Sequence, residues 1–391
     1  MWSSEKLVPL SAKRIYLDHA ATTPLSAPVL AEMLPFLTQH GYNPSGLYAE
    51  SRIARDAIEN ARVRIAVILG CETGEIIFTS GGSEGINLAI KGVAVAREQA
   101  HRTRILVSNV EHHAVLRSAE YLRRNRNVHV DYVRVDEYGV VDLNHLESLL
   151  GDDLALVSIQ YANNEVGTIQ PLAEVGALLE DSPVTFHTDA VQAPGALSLN
   201  VDNLGVDLLS LAAHKFFGPK GIGILYARRG TRLVPQIQGG SQERGRRAGT
   251  ENVASIVGMA MALEIATRDR EANNLHNSNL SAILHDGLQN ISDLKFNGHA
   301  TKRLANNTNV CVSGIKAEGL LLLLDRAGIA ASSGSACTSA SLEPSLVLLA
   351  MGIPPELAGG SLRLTTGPEI TLGDIDYALE VISNAVGHLR Q

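Results

Sequence analysis

Cysteine is scarce in this chain, with three in 391 residues, at Cys71, Cys311 and Cys337. An odd number with no close pair argues against both a disulfide framework and a structural zinc site. Long apolar runs are missing too: Leu320 to Leu324 stops at Asp325 and Arg326, far short of a bilayer span. Met1 to Leu10 carries Glu5 and Lys6 and lacks the apolar centre of a secretory signal, so a cytoplasmic protein with no membrane association is expected. Positive charge is not in excess either. A formal net charge of −8 argues against a general nucleic-acid binder, although Arg244, Arg246 and Arg247 form a patch that can hold a small anion. Aromatics are sparse at 4%, while 45% hydrophobic and 19% charged residues are ordinary for a globular enzyme and leave no sign of disorder.

At this length a single core stops growing, so two domains are expected. Short apolar runs at 75–79, 104–108, 129–135, 154–159, 184–187, 206–211 and 222–226 read as strands, and helical stretches separate several of them. That alternation predicts an α/β architecture with a mostly parallel sheet. Ile53, Ala57, Ala61, Ile65 and Ile68 give a helix ended by Gly70. Gly239 to Gly249 reads as a mobile loop before a helix at 250–266. The charged, Asn-rich stretch 267–279 marks a change of domain, after which a smaller α+β unit closes on a helix capped by Thr371 and Asp374. The expected division is 16–266 for the large domain and 1–15 with 267–391 for the small one.

Sheets of this kind bind ligands at the carboxyl ends of their strands. Polar residues cluster there: Glu111-His112-His113, Asn163-Asn164-Glu165, His187 to Gln192, and His214-Lys215. Ser80 to Gly85 joins a strand, a glycine turn and a helix N-terminus, which is an anion seat. Lys215 is either a strand-end lysine reaching for water or an amine whose ammonium form burial disfavours, suited to hold a carbonyl cofactor. In the second case pyridoxal phosphate needs a phosphate seat, a carboxylate on its ring nitrogen, a group on its phenolic oxygen and a ring on its face. Gly82 and Ser83, Asp189, Gln192 and His112 are the candidates. Asp189 by itself also reads as a helix cap before Ala190, and the His112–His113 pair lacks the spacing of a zinc site. Arg363, alone on an apolar strand, needs an internal carboxylate or a substrate carboxylate. Cys337, among the small residues of 332–341, reads as an exposed, reactive thiol or an incidental one, and Cys71 and Cys311 as inert.

The combined motifs Asp18 to Pro24, Glu111-His112, Asn163-Asn164-Glu165, Asp189 with Gln192, His214-Lys215, 245–250 and 332–341 resemble the cysteine desulfurases of bacterial iron–sulfur assembly, from about Tyr16 to the C-terminus. The Ser-Ser-Gly-Ser-Ala-Cys-Thr-Ser run is that of the branch with the longer cysteine loop. The resemblance implies fold type I, a homodimer, and pyridoxal 5′-phosphate bound through Lys215. It further implies a phosphate site lined by Gly82, Ser83 and His214, with Thr250 supplied by the opposite subunit. Asn164 and Arg363 would hold the substrate carboxylate, His112 would manage a substrate proton, and Cys337 would take the sulfur of L-cysteine as a persulfide, leaving L-alanine. A sulfur-acceptor protein such as an iron–sulfur scaffold is the implied partner. The alternatives are another lyase or aminotransferase of the same fold, selenocysteine lyase among them, and a non-catalytic scaffold. Two departures stand out. Gly82-Ser83 stands where this family more often has Ala-Thr, a mild change that keeps the hydroxyl. Ala212 occupies a position where this family usually has a hydroxyl that donates to the phosphate, so cofactor affinity is expected to fall unless water or Ser210 substitutes.

Overall fold

The computed structural model describes residues 14–334 and 344–391. The strands are β1 (Ile15–Tyr16), β2 (Ile76–Thr79), β3 (Arg104–Ser108), β4 (His129–Val133), β5 (Leu154–Ser158), β6 (Thr185–Asp189), β7 (Leu208–Ala212), β8 (Gly223–Ala227), β9 (Leu294–Asn297), β10 (Asn307–Val312), β11 (Ile329–Ala330) and β12 (Ser361–Thr365). Seven form one sheet in the order β2-β8-β7-β6-β5-β3-β4. Only β8 runs against its neighbours, so the expected mostly parallel sheet is what forms. Buried apolar residues cover both faces, as a parallel sheet requires.

The strands lie within a residue or two of their expected places, with one shift that matters: Asp189 is the last residue of β6 rather than the cap of a following helix. Gly223, at the start of β8, lies against the turn after β2. A Cβ there would be 2.7 Å from the carbonyl carbon of Gly81 and 2.5 Å from Leu211 O, so only glycine lets the two backbones meet.

Helix α1 (Ala27–Thr38) follows Ser26, with proline in its first turn. Helix α2 (Ala49–Leu69) ends on Gly70 in the left-handed conformation at φ 69°, as expected. Its buried stripe keeps the expected Ala61 and Ile65 but has Ala54, Ile58 and Leu69 in place of Ile53, Ala57 and Ile68, and Ile53 is exposed. Helix α3 (Gly82–Arg97) begins at the glycines of the anion seat, and α4 (His113–Asn125) begins after His112.

A second, antiparallel sheet, β12-β10-β9, packs with the helices Arg270–Leu288 and Leu372–Leu389 around Leu284, Val310, Leu320, Leu362 and Ile382. Ile15 and Leu17 join this second core, and β1 pairs in parallel with β11. The expected capping box of Thr371 and Asp374 is present. Among the described residues no helix is long and apolar enough to cross a membrane.

Candidate active site

A cavity of about 530 Å³ opens where β2, β3, β5, β6 and β7 end, and the second sheet reaches it through Arg363 of β12. Its walls include Gly82, Ser83, His112, Asn164, Asp189, Gln192, His214, Lys215 and Arg363. Nine of the residues singled out in the sequence are therefore gathered in one place. Thr250 is not among them: it is exposed, outside the pocket of its own chain. Cys337 lies outside the described residues.

Lys215 ends the short turn Ala213–Lys215 that follows β7. Its Nζ donates to the carbonyls of Ala20 at 2.5 Å and Ala21 at 2.8 Å. The run Asp18 to Pro24 is thus a site loop. Thr23 fastens it to the same turn, its Oγ1 donating to His214 O at 3.0 Å and accepting from Phe217 N at 2.6 Å. Gln192 donates from Nε2 to Ala20 O at 3.0 Å. Asp189 accepts from Val191 N at 3.0 Å, an aspartate turn rather than a helix cap.

Burial works against charge at most of these groups. It raises the Asp189 carboxyl, opposed by the nearby His112 and Lys215. It lowers His112, and it lowers His214 to about 4 with help from Lys215 and Lys220. His112 Nδ1 accepts from Ala114 N at 3.1 Å, so the ring caps α4. Glu111, fully enclosed, accepts from Ser108 Oγ at 2.6 Å and Gln160 N at 2.7 Å, and burial pushes it up to about 8.

Arg363 is 1% exposed, and its demand for a partner is met inside the protein. Nη2 donates to Asp18 Oδ1 at 2.7 Å, and Nη1 donates to Asn164 O at 2.8 Å and Gly334 O at 2.7 Å. Nε is buried without a partner. The internal carboxylate that the sequence allowed is therefore Asp18, while the guanidinium still forms part of the pocket wall.

Beneath the pocket, Ser158 Oγ meets His187 Nδ1 at 2.8 Å and His187 Nε2 meets Ser210 Oγ at 3.0 Å, linking β5, β6 and β7. Ser210 is fully buried in this row and is not on the pocket wall, so it does not stand in for the hydroxyl missing at Ala212.

Among the pocket residues to which the sequence gave no individual role are Glu111, Gln160 and Glu165. Gln160 follows β5 and donates from Nε2 to Val110 O at 2.6 Å. Its position directly after the predicted strand 154–159 was the available signal. Glu165 is buried, accepts from Ser345 Oγ at 2.5 Å, and has its carboxyl raised by burial.

The pocket fits pyridoxal 5′-phosphate. Helix α3 starts without a side-chain cap, so the backbone N–H groups of its first turn remain for an anion. A Cβ on Gly82 would sit 3.0 Å from Val191 Cγ2 and 3.4 Å from Ala212 Cβ, filling that cradle. Asp189 supplies a carboxyl at the base and Lys215 the amine.

The pattern of the class-V aminotransferases matches residues 15–377. The chain is 48% identical over 378 residues to the cysteine desulfurase IscS of Methanosarcina thermophila, covering 97% of this chain and 93% of that one. A solved NifS-like protein superposes with a TM-score of 0.91 at 37% identity, over 96% of this chain and all of that one. A solved complex of SspA with cysteine gives a TM-score of 0.80 at 33% identity, over 92% of this chain and all of that one.

Proposed function

The chain belongs to the class-V aminotransferase family, and from that membership and its pocket we propose that it is a pyridoxal-phosphate-dependent cysteine desulfurase, converting L-cysteine to L-alanine and passing the sulfur on through an enzyme persulfide. The observation that carries this reading is the single pocket joining the Lys215 amine, the buried Asp189 carboxyl and the Arg363 guanidinium. In this reading residues 16–266 form the large domain, and 1–15 with 267–391 the small one.

When bound, the cofactor withdraws the electron pair left at the substrate's α-carbon, the more so with its ring nitrogen protonated. Asp189 holds that proton in place. The α3 N-terminus, Ser83 and His214 hold the phosphate, and Gln192 offers its second amide N–H to the phenolic oxygen. Lys215 would be the cofactor's point of attachment, and its amine would move the substrate's α-proton. Asn164 and Arg363 orient the substrate carboxylate. His112, kept neutral by burial, takes or returns a substrate proton at Nε2. The Cys337 thiolate attacks the substrate sulfur: an S–S bond forms, the C–S bond breaks, and its electron pair stays with carbon, which takes a proton to become alanine.

The assignment of Cys337 rests on its sequence run, and Gly334 just before it is bonded to Arg363 on the pocket wall. A homodimer accounts for the exposed Leu30, Leu34, Leu37, Tyr48 and Val67 on and between α1 and α2. It also accounts for Thr250, exposed and outside its own pocket, as a ligand of the partner's phosphate. The sulfur acceptor is a protein such as an iron–sulfur scaffold, and the compartment is the cytoplasm.

The test is mass spectrometry of the protein after treatment with L-cysteine, with alanine measured in solution. A mass gain of one sulfur on Cys337 and release of alanine are expected. Full turnover by Cys337→Ser would instead make the protein another lyase of this fold, and a protein that stays colourless when given the cofactor would end the reading.

A further inference from the structure

The run Gly239–Gly249 is not the mobile loop that its sequence suggests. Glu243, Arg244 and Gly245 are consecutive left-handed residues, at φ 47°, 57° and 75°. Two of them carry side chains, and such a run persists only where its surroundings impose it. Glu243 is the imposing group. It is buried, its Oε1 and Oε2 accept from Arg62 Nη2 and Nη1 at 2.9 Å each, and Oε2 also accepts from Phe78 N at 3.0 Å. Arg62 reaches in from α2, donates to Ile76 O at 2.9 Å, and lies over the Phe78 ring at 4.6 Å. Four residues on, Arg247 forms a second attachment. Its Nε and Nη2 donate to Glu84 Oε1 and Oε2 at 2.8 and 3.2 Å, in the first turn of α3. The chain then runs out to the surface at Gly249 and Thr250, both exposed, before Asn252 caps the helix Val253–Arg268.

A strained turn pinned at two points, with an exposed threonine just beyond, has the form of a mount. We propose that Glu243, held by Arg62, is a positioning residue for Thr250, and that with Arg247 it sets where that hydroxyl meets the cofactor phosphate in the partner subunit. The inference rests on the reading that Thr250 serves the partner's site. It differs from a purely local role, in which Glu243 would only support β2 and the phosphate seat of its own chain.

Mixed dimers separate these roles. Lys215→Ala removes the lysine-linked absorbance band from one site, so titration with pyridoxal 5′-phosphate reads the other site alone. In the first dimer, a Glu243→Gln, Lys215→Ala subunit pairs with an unaltered one; the site that is read takes Thr250 from the altered chain. Its dissociation constant should rise about ten-fold or more against the dimer with Lys215→Ala alone, as expected for a misaligned hydrogen bond to a charged group. In the second dimer, a Glu243→Gln subunit that keeps Lys215 pairs with a Lys215→Ala subunit, and affinity should stay unchanged. Equal losses in both dimers, or a loss only in the second, overturn the proposal. Arg247→Ala leaves the buried pair intact and should give the same asymmetry, which covers the case that Glu243→Gln does not fold. Thr250→Ala in the first arrangement tests the premise. No loss there removes the reading beneath the inference, whereas a loss there with none for Glu243→Gln and Arg247→Ala removes the inference alone.

Discussion

Arg363 Nη2 and Asp18 Oδ1 lie 2.7 Å apart, joining residues 345 positions distant at the seam between the second sheet and the active-site loop. Their pairing makes one guanidinium both a structural ion and a wall of the pocket. Asp18→Asn would leave that ion without a counter-charge, and breaking a buried pair costs about 3–5 kcal/mol, somewhat less here because Asp18 retains some exposure. Arg363→Lys keeps the charge but loses the planar fork, so KM for L-cysteine should rise about ten-fold or more with kcat less affected. Steady-state kinetics check this, and an unchanged KM would remove Arg363 from carboxylate recognition.

Ala212 faces the Gly82 cradle with only a methyl group. Ala212→Ser should restore a donor to the phosphate and tighten the cofactor by roughly ten-fold, the worth of one hydrogen bond. Fluorescence titration of the apoprotein measures it. No change would mean that other donors already saturate the phosphate.

His187 is fully buried and its folded pKa is depressed to about 3 from an unfolded 6.5. The unfolded chain therefore binds the extra proton first, and stability is present above pH 6.5 and falls as the pH drops towards 3, by a few kcal/mol at most from this group. His187→Gln should cost about 1–3 kcal/mol at pH 7, because its serine partners lose bonds, yet flatten the decline between pH 6.5 and 4. Urea unfolding across that range decides it; an equally steep decline in the variant would assign the acid sensitivity elsewhere.

Glu111 works in the opposite direction. Its folded pKa is raised to about 8 from 4.5, so its contribution is complete below pH 4.5 and is lost as the pH rises through 8. Glu111→Gln keeps an oxygen to accept from Ser108 and Gln160 and cannot ionise. The variant apoprotein should gain on the parent between pH 7 and 9 and match it near pH 5. A thermal shift measured at both ends of the range tests this.

The strand ends were legible because apolar runs stop where polar residues begin, and that alone brought His112, Asn164, Asp189 and Lys215 together. The helix stripe of α2 was right at Ala61 and Ile65 and off by one at its ends, because Ile53 and Ala54, or Ile68 and Leu69, are interchangeable to a pattern of apolar spacing. The fastening of Gly239–Gly249 was illegible for a different reason: Arg62 and Glu243 are 181 positions apart and neither has a local signature. The carbonyls of Ala20 and Ala21 that hold Lys215 are backbone, and no side chain announces them. Ser210 looked available to the phosphate until its partner across the sheet was known.

The row Ser158–His187–Ser210 ties three strands together under the pocket with a neutral ring at its centre. Both ring nitrogens are spent on serine hydroxyls, so the row holds three strand ends in register without adding a charge of its own. The charged groups of the site then lie on the pocket side, where Lys215, His112 and Asp189 face one another.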